Sequence, residues 1–243
     1  MNDWPFGDLE PGKYGAILAD PPWRFQAWSG KGTSRAVENH YPTMEDEGMW
    51  KLPVWDLPAK DCVLFLWSVW PKLHDALGLI AHWGFEYKTC AFAWMKANAS
   101  QIEMFRDDAD PDMLLGYWTR ANSEVCLLAT RGKPKRLNAD VRQGIIAPRR
   151  EHSRKPDGIH ERIERLVAGP YCELFARQRR SGWDVWGNEV DKFDAADDSR
   201  KSYDLAIEEC RKRSIADPFA KREARGANMN PGPLFDDGNA APE

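Results

Sequence analysis

The sequence lacks a long apolar run, a paired-cysteine motif and a basic, apolar amino terminus. No run approaches the ~20 residues that a membrane-spanning helix needs, and the opening MNDWPFGDLE does not have the pattern of a signal peptide. The five cysteines are isolated, which argues against a zinc or redox site. Cysteines in or beside apolar runs are typical of proteins in a reducing cytoplasm. With 42% hydrophobic residues, the composition predicts a globular cytoplasmic protein.

The net charge is only −4, but the charges are unevenly distributed. Residues 131–180 contain 14 of the 34 Lys and Arg residues and 6 of the 38 Asp and Glu residues. A basic segment on an acidic protein attracts phosphate locally, and a solvated surface is the alternative interpretation. Twelve tryptophans are present, ten of them between Trp4 and Trp118. Most are expected in the core, with a few near a site available to stack on a planar base.

Short apolar runs alternate with helical patterns along the chain. Five runs bounded by polar or turn residues predict strands, at 15–20, 62–68, 88–96, 124–130 and 171–177. Two stretches, 70–84 and 155–169, have apolar residues at helical spacing. Because the strand-like runs are apolar almost throughout, we expect a sheet covered on both faces. The alternation therefore predicts an α/β sandwich.

Two polar stretches and a change of composition set the domain organisation. Residues 24–43 follow the first predicted strand and are expected to form a lid or binding loop, and residues 101–117 a second, acid-rich loop. We expect one domain over residues 1–190. Residues 191–243 predict a charged helix followed by a disordered end rich in proline and glycine.

The first predicted strand ends at Asp20, the first residue of Asp20-Pro21-Pro22-Trp23, here called the DPPW motif. Pro21 cannot donate a hydrogen bond to a neighbouring strand, so the strand has to end there. Ligands of open α/β sheets bind at the carboxyl ends of strands, where Asp20 lies. We expect the carbonyls of Asp20 and Pro21 to lack the usual local donors. The carboxylate, the Pro21 carbonyl and the flat Trp23 side chain together suit a planar group with an exocyclic amine, such as adenine.

The DPPW motif resembles the (D/N/S)-P-P-(Y/F/W) motif of amino-group methyltransferases. Its tryptophan form is similar to the family named after the 70-kDa subunit of mRNA adenosine methyltransferase, MT-A70. Further segments similar to bacterial members follow in a consistent order, at 4–9, 40–44, 120–124, 147–157, 173–178 and 182–189. The resemblance implies a bacterial or phage protein with the Rossmann-like sandwich of S-adenosylmethionine-dependent methyltransferases. It also implies a permuted motif order, in which the catalytic strand precedes the cofactor strand.

The resemblance implies methylation of N6 of adenine in nucleic acid, in DNA rather than RNA, with S-adenosylmethionine as methyl donor and no metal. The target base has to be single-stranded or flipped out of a duplex. The catalytic roles fall on Asp20, Pro21, Pro22 and Trp23. Methylation of RNA adenosine, methylation of cytosine N4 and a non-catalytic nucleic-acid-binding subunit of the same fold remain alternatives.

The resemblance also implies binding roles for individual residues. The candidates for the cofactor, besides Asp20, are Asp3, Phe6, Lys155, Arg177, Arg179, Asn188 and Glu189. The resemblance places Tyr41, besides Trp23, near the target base. By their charge, Arg149, Arg150 and Arg154 are candidates to contact phosphate, with a solvated surface as the alternative. The glycine-rich turn that usually follows a methyltransferase cofactor strand is absent, and residues 176–178 stand in its place.

Two expectations concern assembly. Near the end of the chain, Leu234 and Phe235 lie in a segment that resembles the short peptides that dock on replication sliding clamps. The sequence leaves the oligomeric state open, with a homodimer as one alternative. The expected location is the cytoplasm of a bacterium or of a phage-infected host.

Overall fold

The computed structural model describes residues 4–23, 46–97, 121–149 and 154–192, and in this part of the chain seven strands form one sheet. The strands are β1 (Tyr14–Ala19), β2 (Pro58–Ser68), β3 (Glu86–Ala97), β4 (Ser123–Arg131), β5 (Gly144–Pro148), β6 (Tyr171–Leu174) and β7 (Trp183–Trp186). The helices are α1 (Asp46–Lys51), α2 (Leu73–His82) and α3 (Gly158–Leu166). Short 3-10 turns, Val54–Asp56 and Trp70–Lys72, precede β2 and α2.

The strand order in the sheet is β5-β3-β4-β2-β1-β6-β7. Strand β4 runs antiparallel to its neighbours β2 and β3, whereas all other neighbouring pairs are parallel. The carboxyl ends of the six parallel strands and the amino end of β4 therefore lie along one edge of the sheet. We call this the carboxyl edge. Residues that end β1, β3 and β6 and residues that begin β4 are brought together there.

The sheet is covered on both faces, and β1 shows why its sequence is apolar almost throughout. Ile17 belongs to a core cluster that includes Leu79 and Ile80 of α2. Leu18 belongs to a second cluster, which includes Ile159 and Ile163 of α3. Successive residues of a strand point to opposite faces, so both sets have to be hydrophobic. Each fully buried Leu or Ile contributes about 1.5–3 kcal/mol relative to an exposed position.

All five predicted strands are present, whereas β5, β7 and α1 were not predicted. Strand β5 lies at one end of the sheet and exposes Ile146. Strand β7 lies at the other end, and within it only Trp183 is buried. Such edge strands have little of the apolar signal of the central strands. Strand β6 is shorter than predicted because Phe175 leaves the extended conformation, with φ of 61°.

Several expectations lie outside the described residues, including both loops, 24–43 and 101–117. The expected charged helix and disordered end beyond residue 190 also lie almost entirely outside them, so the domain boundary stays a prediction. No helix in the described part of the chain is long and apolar enough to cross a lipid bilayer.

Candidate active site

The DPPW motif lies at the carboxyl edge, directly after β1. In the sheet Ala19 is paired with Leu66 of β2 on one side and with Leu174 of β6 on the other. The N–H of Asp20 continues this pairing by donating to the Leu174 carbonyl at 3.4 Å. Asp20 is therefore placed between the ends of two parallel strands. Its side chain is 22% exposed, so solvent and a ligand can reach it.

The Asp20 carboxylate forms an ion pair with Lys155, with 2.7 Å between Oδ2 and Nζ. Lys155 lies in the segment before α3, at the same edge of the sheet. Its Nζ is also 3.3 Å from Oε2 of Glu124 and 5.4 Å from the ring centroid of Trp67. The structure thus brings together Asp20, expected to hold the target amine, and Lys155, expected to bind the cofactor.

Two further charged residues complete this cluster, and sequence reasoning gave neither of them a role. Glu124 is the second residue of β4, and its Oε1 accepts a short hydrogen bond from Nζ of Lys96 near the end of β3. The side chains of Glu124 and Lys96 are only 9% and 10% exposed. We call Asp20, Lys155, Glu124 and Lys96, which alternate in charge, the charge chain. The available signal was a charged residue at the end of an otherwise apolar run.

The charge chain keeps Glu124 ionised in a buried position. Burial alone would raise the pKa of its carboxyl group. The positive charges of Lys155 and Lys96 outweigh this effect, so the pKa lies below its ordinary value. Two acids and two amines can balance one another in charge, which limits the cost of burying them. Glu124 therefore positions Lys155 beside Asp20.

The DPPW motif itself is closed by a tight turn. The N–H of Trp23 donates to the Pro21 carbonyl at 2.8 Å, so the expectation that this carbonyl has no local donor is wrong. A carbonyl oxygen has two lone pairs, so the Pro21 oxygen can accept a second hydrogen bond. The indole N–H of Trp23 donates to the Trp67 carbonyl at 2.9 Å. Trp23 is 6% exposed and anchors the motif to β2.

Four of the candidate cofactor residues, Arg177, Arg179, Asn188 and Glu189, lie in the segments that follow β6 and β7. Directly after β6, Phe175 adopts the left-handed backbone conformation that glycine would adopt without strain. Its ring packs edge-on against Trp186 at 5.5 Å, and Trp186 packs in the same way against the buried Phe6 at 5.1 Å. A non-glycine residue in this conformation is uncommon and strained. It directly precedes residues 176–178, which stand in place of the glycine-rich turn that usually follows a methyltransferase cofactor strand.

Close backbone approach joins the segments that follow β6 and β7. The N–H of Ala176 donates to the Trp186 carbonyl at 2.9 Å. A Cβ atom at Gly187 would lie 2.5 Å from the Ala176 oxygen, so this approach requires glycine. Beyond it, Nε of Arg177 is 3.7 Å from a carboxylate oxygen of Glu189. These two cofactor candidates are therefore neighbours.

The remaining candidates are more dispersed. Asn188 is exposed beside Gly187, and Arg179 forms an exposed ion pair with Asp191 at 2.9 Å. Arg154 donates to Oε1 of Gln178 at 2.7 Å and is largely buried. This contact links the segment before α3 to the segment after β6.

Arg149 is exposed directly after β5, at the carboxyl edge. Asp3, Tyr41 and Arg150 lie outside the described residues. Their binding roles stay predictions.

Residues 14–189, most of the chain, match the family model for MT-A70. The chain belongs to the MT-A70 family. This match includes the DPPW motif, the charge chain and the segments that follow β6 and β7. The resemblance inferred from the sequence is confirmed.

Individual MT-A70 relatives include proteins of very different length. The Type II methyltransferase M.MunI of Mycoplasma sp is 32% identical over 204 residues, which cover 76% of this chain and 81% of that protein. The N(6)-adenosine-methyltransferase catalytic subunit METTL3 of Homo sapiens is 30% identical over 187 residues, which cover 74% of this chain and 29% of that protein. The putative MT-A70-like protein of Medicago truncatula is 31% identical, with 27% of its length covered. The chain thus spans less than a third of these two eukaryotic relatives.

MT-A70 membership confirms the predicted fold class, a methyltransferase α/β sandwich. It also confirms the predicted enzyme class, an adenine-N6 methyltransferase. The permuted order accords with the positions of the two parts of the site. The DPPW motif follows β1, whereas the cofactor candidates Arg177, Arg179, Asn188 and Glu189 follow β6 and β7. Methyltransferases of this family use S-adenosylmethionine.

Proposed function

We propose that the chain methylates N6 of adenine in DNA, with Asp20 and the Pro21 carbonyl holding the amino group. The observation that carries this proposal is the placement of a partly exposed carboxylate at the end of β1, beside Lys155. The intact DPPW motif and charge chain favour an enzyme over a non-catalytic nucleic-acid-binding subunit of the same fold.

The two acceptors of the motif make the adenine amine a better nucleophile. The lone pair of N6 is delocalised into the ring, so the free amine reacts poorly. Asp20 accepts a hydrogen bond from one N–H of the amine, and the Pro21 carbonyl accepts one from the other N–H. These two hydrogen bonds favour a pyramidal nitrogen with an available lone pair. The Trp23 N–H contact orients the Pro21 carbonyl and leaves it a lone pair for the amine. Catalysis here is mainly positioning and electrostatics.

The charge chain allows Asp20 to serve an incoming amine. If Lys155 had Asp20 as its sole carboxylate partner, turning that carboxylate towards a ligand would leave a poorly compensated ammonium in the site. Glu124 lies 3.3 Å from the same ammonium and remains as a partner. Asp20 can therefore reorient at little electrostatic cost.

The segments after β6 and β7 fit the cofactor by their chemistry. S-adenosylmethionine supplies an activated methyl group when it is bound. The strained Phe175 and the close approach at Gly187 support a binding role, since such backbone features cluster at functional sites. Glu189 and Asn188 offer hydrogen-bonding groups for ribose hydroxyls, and Arg177 offers positive charge for a carboxylate. Asp3, Phe6, Arg179 and Lys155 are further proposed contacts or supports.

Replacing Lys155 tests the cofactor side of the site. We expect Lys155→Ala to raise the Kd for S-adenosylmethionine by roughly tenfold or more, because charge-assisted hydrogen bonds contribute about 1.5–3 kcal/mol. Isothermal titration calorimetry measures this constant, and the exposed Lys135, replaced by Ala, is a matched control from the same basic segment. If Lys155→Ala changed only nucleic-acid affinity, its assignment to the cofactor would be wrong.

DNA is the proposed polymer because this chain covers most of a bacterial Type II methyltransferase. The exposed Arg149 and the basic segment 131–180 are proposed to contact phosphate, with Arg150. Arg154 can join them only by leaving its contact with Gln178, because it is largely buried. RNA is the second candidate, since the human relative is named an N(6)-adenosine-methyltransferase. The test compares kcat/KM on duplex DNA, single-stranded DNA, single-stranded RNA and structured RNA. A DNA substrate should be preferred, and higher kcat/KM on RNA would overturn the choice.

The cytoplasm of a bacterium or phage-infected host is the proposed location. A homodimer and clamp docking through Leu234 and Phe235 also stay proposals. Both of these residues lie outside the described part of the chain.

A further inference from the structure

We propose that Trp70 is a stacking platform for a nucleobase of the substrate strand. This inference rests on the proposed function, because it presumes that a nucleic-acid strand reaches the carboxyl edge. Trp70 is not part of the DPPW motif, and the sequence alone gives it no role.

Trp70 lies close to the motif along the carboxyl edge. Strand β2 ends at Ser68, and Trp70 begins the 3-10 turn that follows. Three residues earlier, the Trp67 carbonyl accepts the hydrogen bond that anchors Trp23. Strand β2 is also the direct neighbour of β1, which carries Asp20 at its end. A strand presented to Asp20 therefore passes near the end of β2.

The indole of Trp70 is exposed and yet oriented. Its N–H donates to Oγ of Ser123 at 2.9 Å, and Ser123 begins β4 directly before Glu124. With its polar atom satisfied, half of the side chain remains exposed, at 50%. Trp67, Trp83 and Trp94, by contrast, are fully buried. Packing of the core therefore does not account for the placement of Trp70.

Position distinguishes Trp70 from the other exposed apolar side chains. In the described part of the chain, the large exposed hydrophobic residues are Trp55, Trp70, Tyr87, Leu137 and Ile146. Trp55 precedes β2 and Tyr87 is the second residue of β3, so both residues lie at the opposite edge of the sheet. Trp70 is thus the aromatic member of this set at the carboxyl edge.

The chemistry of a flat, anchored indole favours a base as its occupant. Every nucleobase has a π face, so stacking on an aromatic side chain holds single-stranded or flipped bases without a sequence requirement. Trp23, the aromatic residue expected from the motif to stack, exposes only 6% of its surface. Trp70 offers a much larger face beside the same site.

The test measures binding of a fluorescently labelled single-stranded DNA oligonucleotide to the full chain, in the presence of S-adenosylhomocysteine. We expect Trp70→Ala and Trp70→Leu to raise the Kd roughly tenfold or more, because each removes the aromatic face. Trp70→Phe keeps a ring and should retain most of the affinity. Trp55→Ala removes a comparably exposed tryptophan at the opposite edge and should bind like the wild type. Affinity for S-adenosylhomocysteine and thermal unfolding should be unchanged in all four variants.

The outcomes separate this proposal from the proposed function. Wild-type affinity in Trp70→Leu, with adenine methylation retained, would overturn the stacking role and leave the function intact. Equal losses in Trp70→Phe and Trp70→Leu would also overturn it, since the ring would not be what matters. If the Trp70 variants bind DNA more weakly but the wild-type chain methylates no adenine, the stacking role would be supported and the proposed function refuted. If Trp70→Ala fails to fold, the comparison of Phe with Leu still decides.

Discussion

Asp20→Ala should reduce methyl transfer by at least about a hundredfold while the chain stays folded. The variant removes a preorganised acceptor for the adenine amine, and losing one such group commonly costs 10²–10³ in kcat. Folding should be retained because the side chain is partly exposed and Lys155 keeps Glu124 as a partner. Single-turnover transfer from methyl-labelled S-adenosylmethionine measures the effect. Calorimetry should show nearly unchanged cofactor binding, because the seven other cofactor candidates remain.

Two further variants make the Asp20 result specific. Asp20→Asn keeps an acceptor oxygen and loses the charge, so its activity should lie between that of the wild type and that of Asp20→Ala. Asp140 forms an exposed ion pair with Arg165, and Asp140→Ala should leave transfer unchanged. Wild-type turnover in Asp20→Ala would refute the role assigned to the DPPW motif.

Glu124→Leu should lower the free energy of unfolding by about 3–5 kcal/mol. The substitution removes the buried carboxylate that compensates Lys96 and Lys155, and breaking a buried ion pair from one side has this cost. Single domains are stable by only about 5–15 kcal/mol, so the loss is large. Urea denaturation measures it. We also expect slower methyl transfer, because Lys155 is no longer positioned by Glu124.

A paired substitution distinguishes charge from packing at this position. In Lys96→Met/Glu124→Leu the two buried charges leave together, so the double variant should be more stable than Glu124→Leu alone. If Glu124→Leu were as stable as the wild type, the charge chain would have no structural importance.

The pH dependence of stability follows from the direction of the Glu124 shift. Its pKa in the folded chain lies below the ordinary value of 4.5. As the pH falls, Glu124 therefore takes up a proton in the unfolded chain before it does so in the folded chain. The stabilisation by the ionised Glu124 is present above that ordinary value. It is lost as the pH falls through the lower, folded pKa. In Glu124→Gln, the free energy of unfolding should therefore fall less than in the wild type as the pH is lowered through this range.

The position of Asp20 at the end of a strand could be predicted from the sequence because local rules determine it. Pro21 has no N–H to donate, so the strand that reaches Asp20 has to end there. Glu124 and Lys96 are brought to the site by the pairing of β3 with β4, in which Trp94 lies opposite Glu124. Such long-range pairing leaves no local periodicity in the sequence. The sequence shows each of these residues only as a charge at the end of an apolar run. Such a charge does not indicate a site unless the partner strand is known.

Other parts of the fold escaped sequence reasoning for different physical reasons. The central strands are apolar on both faces and were predicted, whereas the half-exposed β5 and β7 were not. The turn after β6 could not be recognised because Phe175, and not a glycine, adopts the positive φ. The buried Trp23 donates a hydrogen bond to the Trp67 carbonyl, a long-range contact that a motif alone does not specify.

The most direct test of the account is nucleoside analysis of substrate treated with the wild-type chain and methyl-labelled S-adenosylmethionine. Digested DNA and RNA would be separated into nucleosides and the label assigned to a base and an atom. Label on N6 of adenine is the predicted result. Label on N4 of cytosine, or no labelled nucleoside from any polymer, would contradict the claim that Asp20 and Pro21 hold the adenine amine.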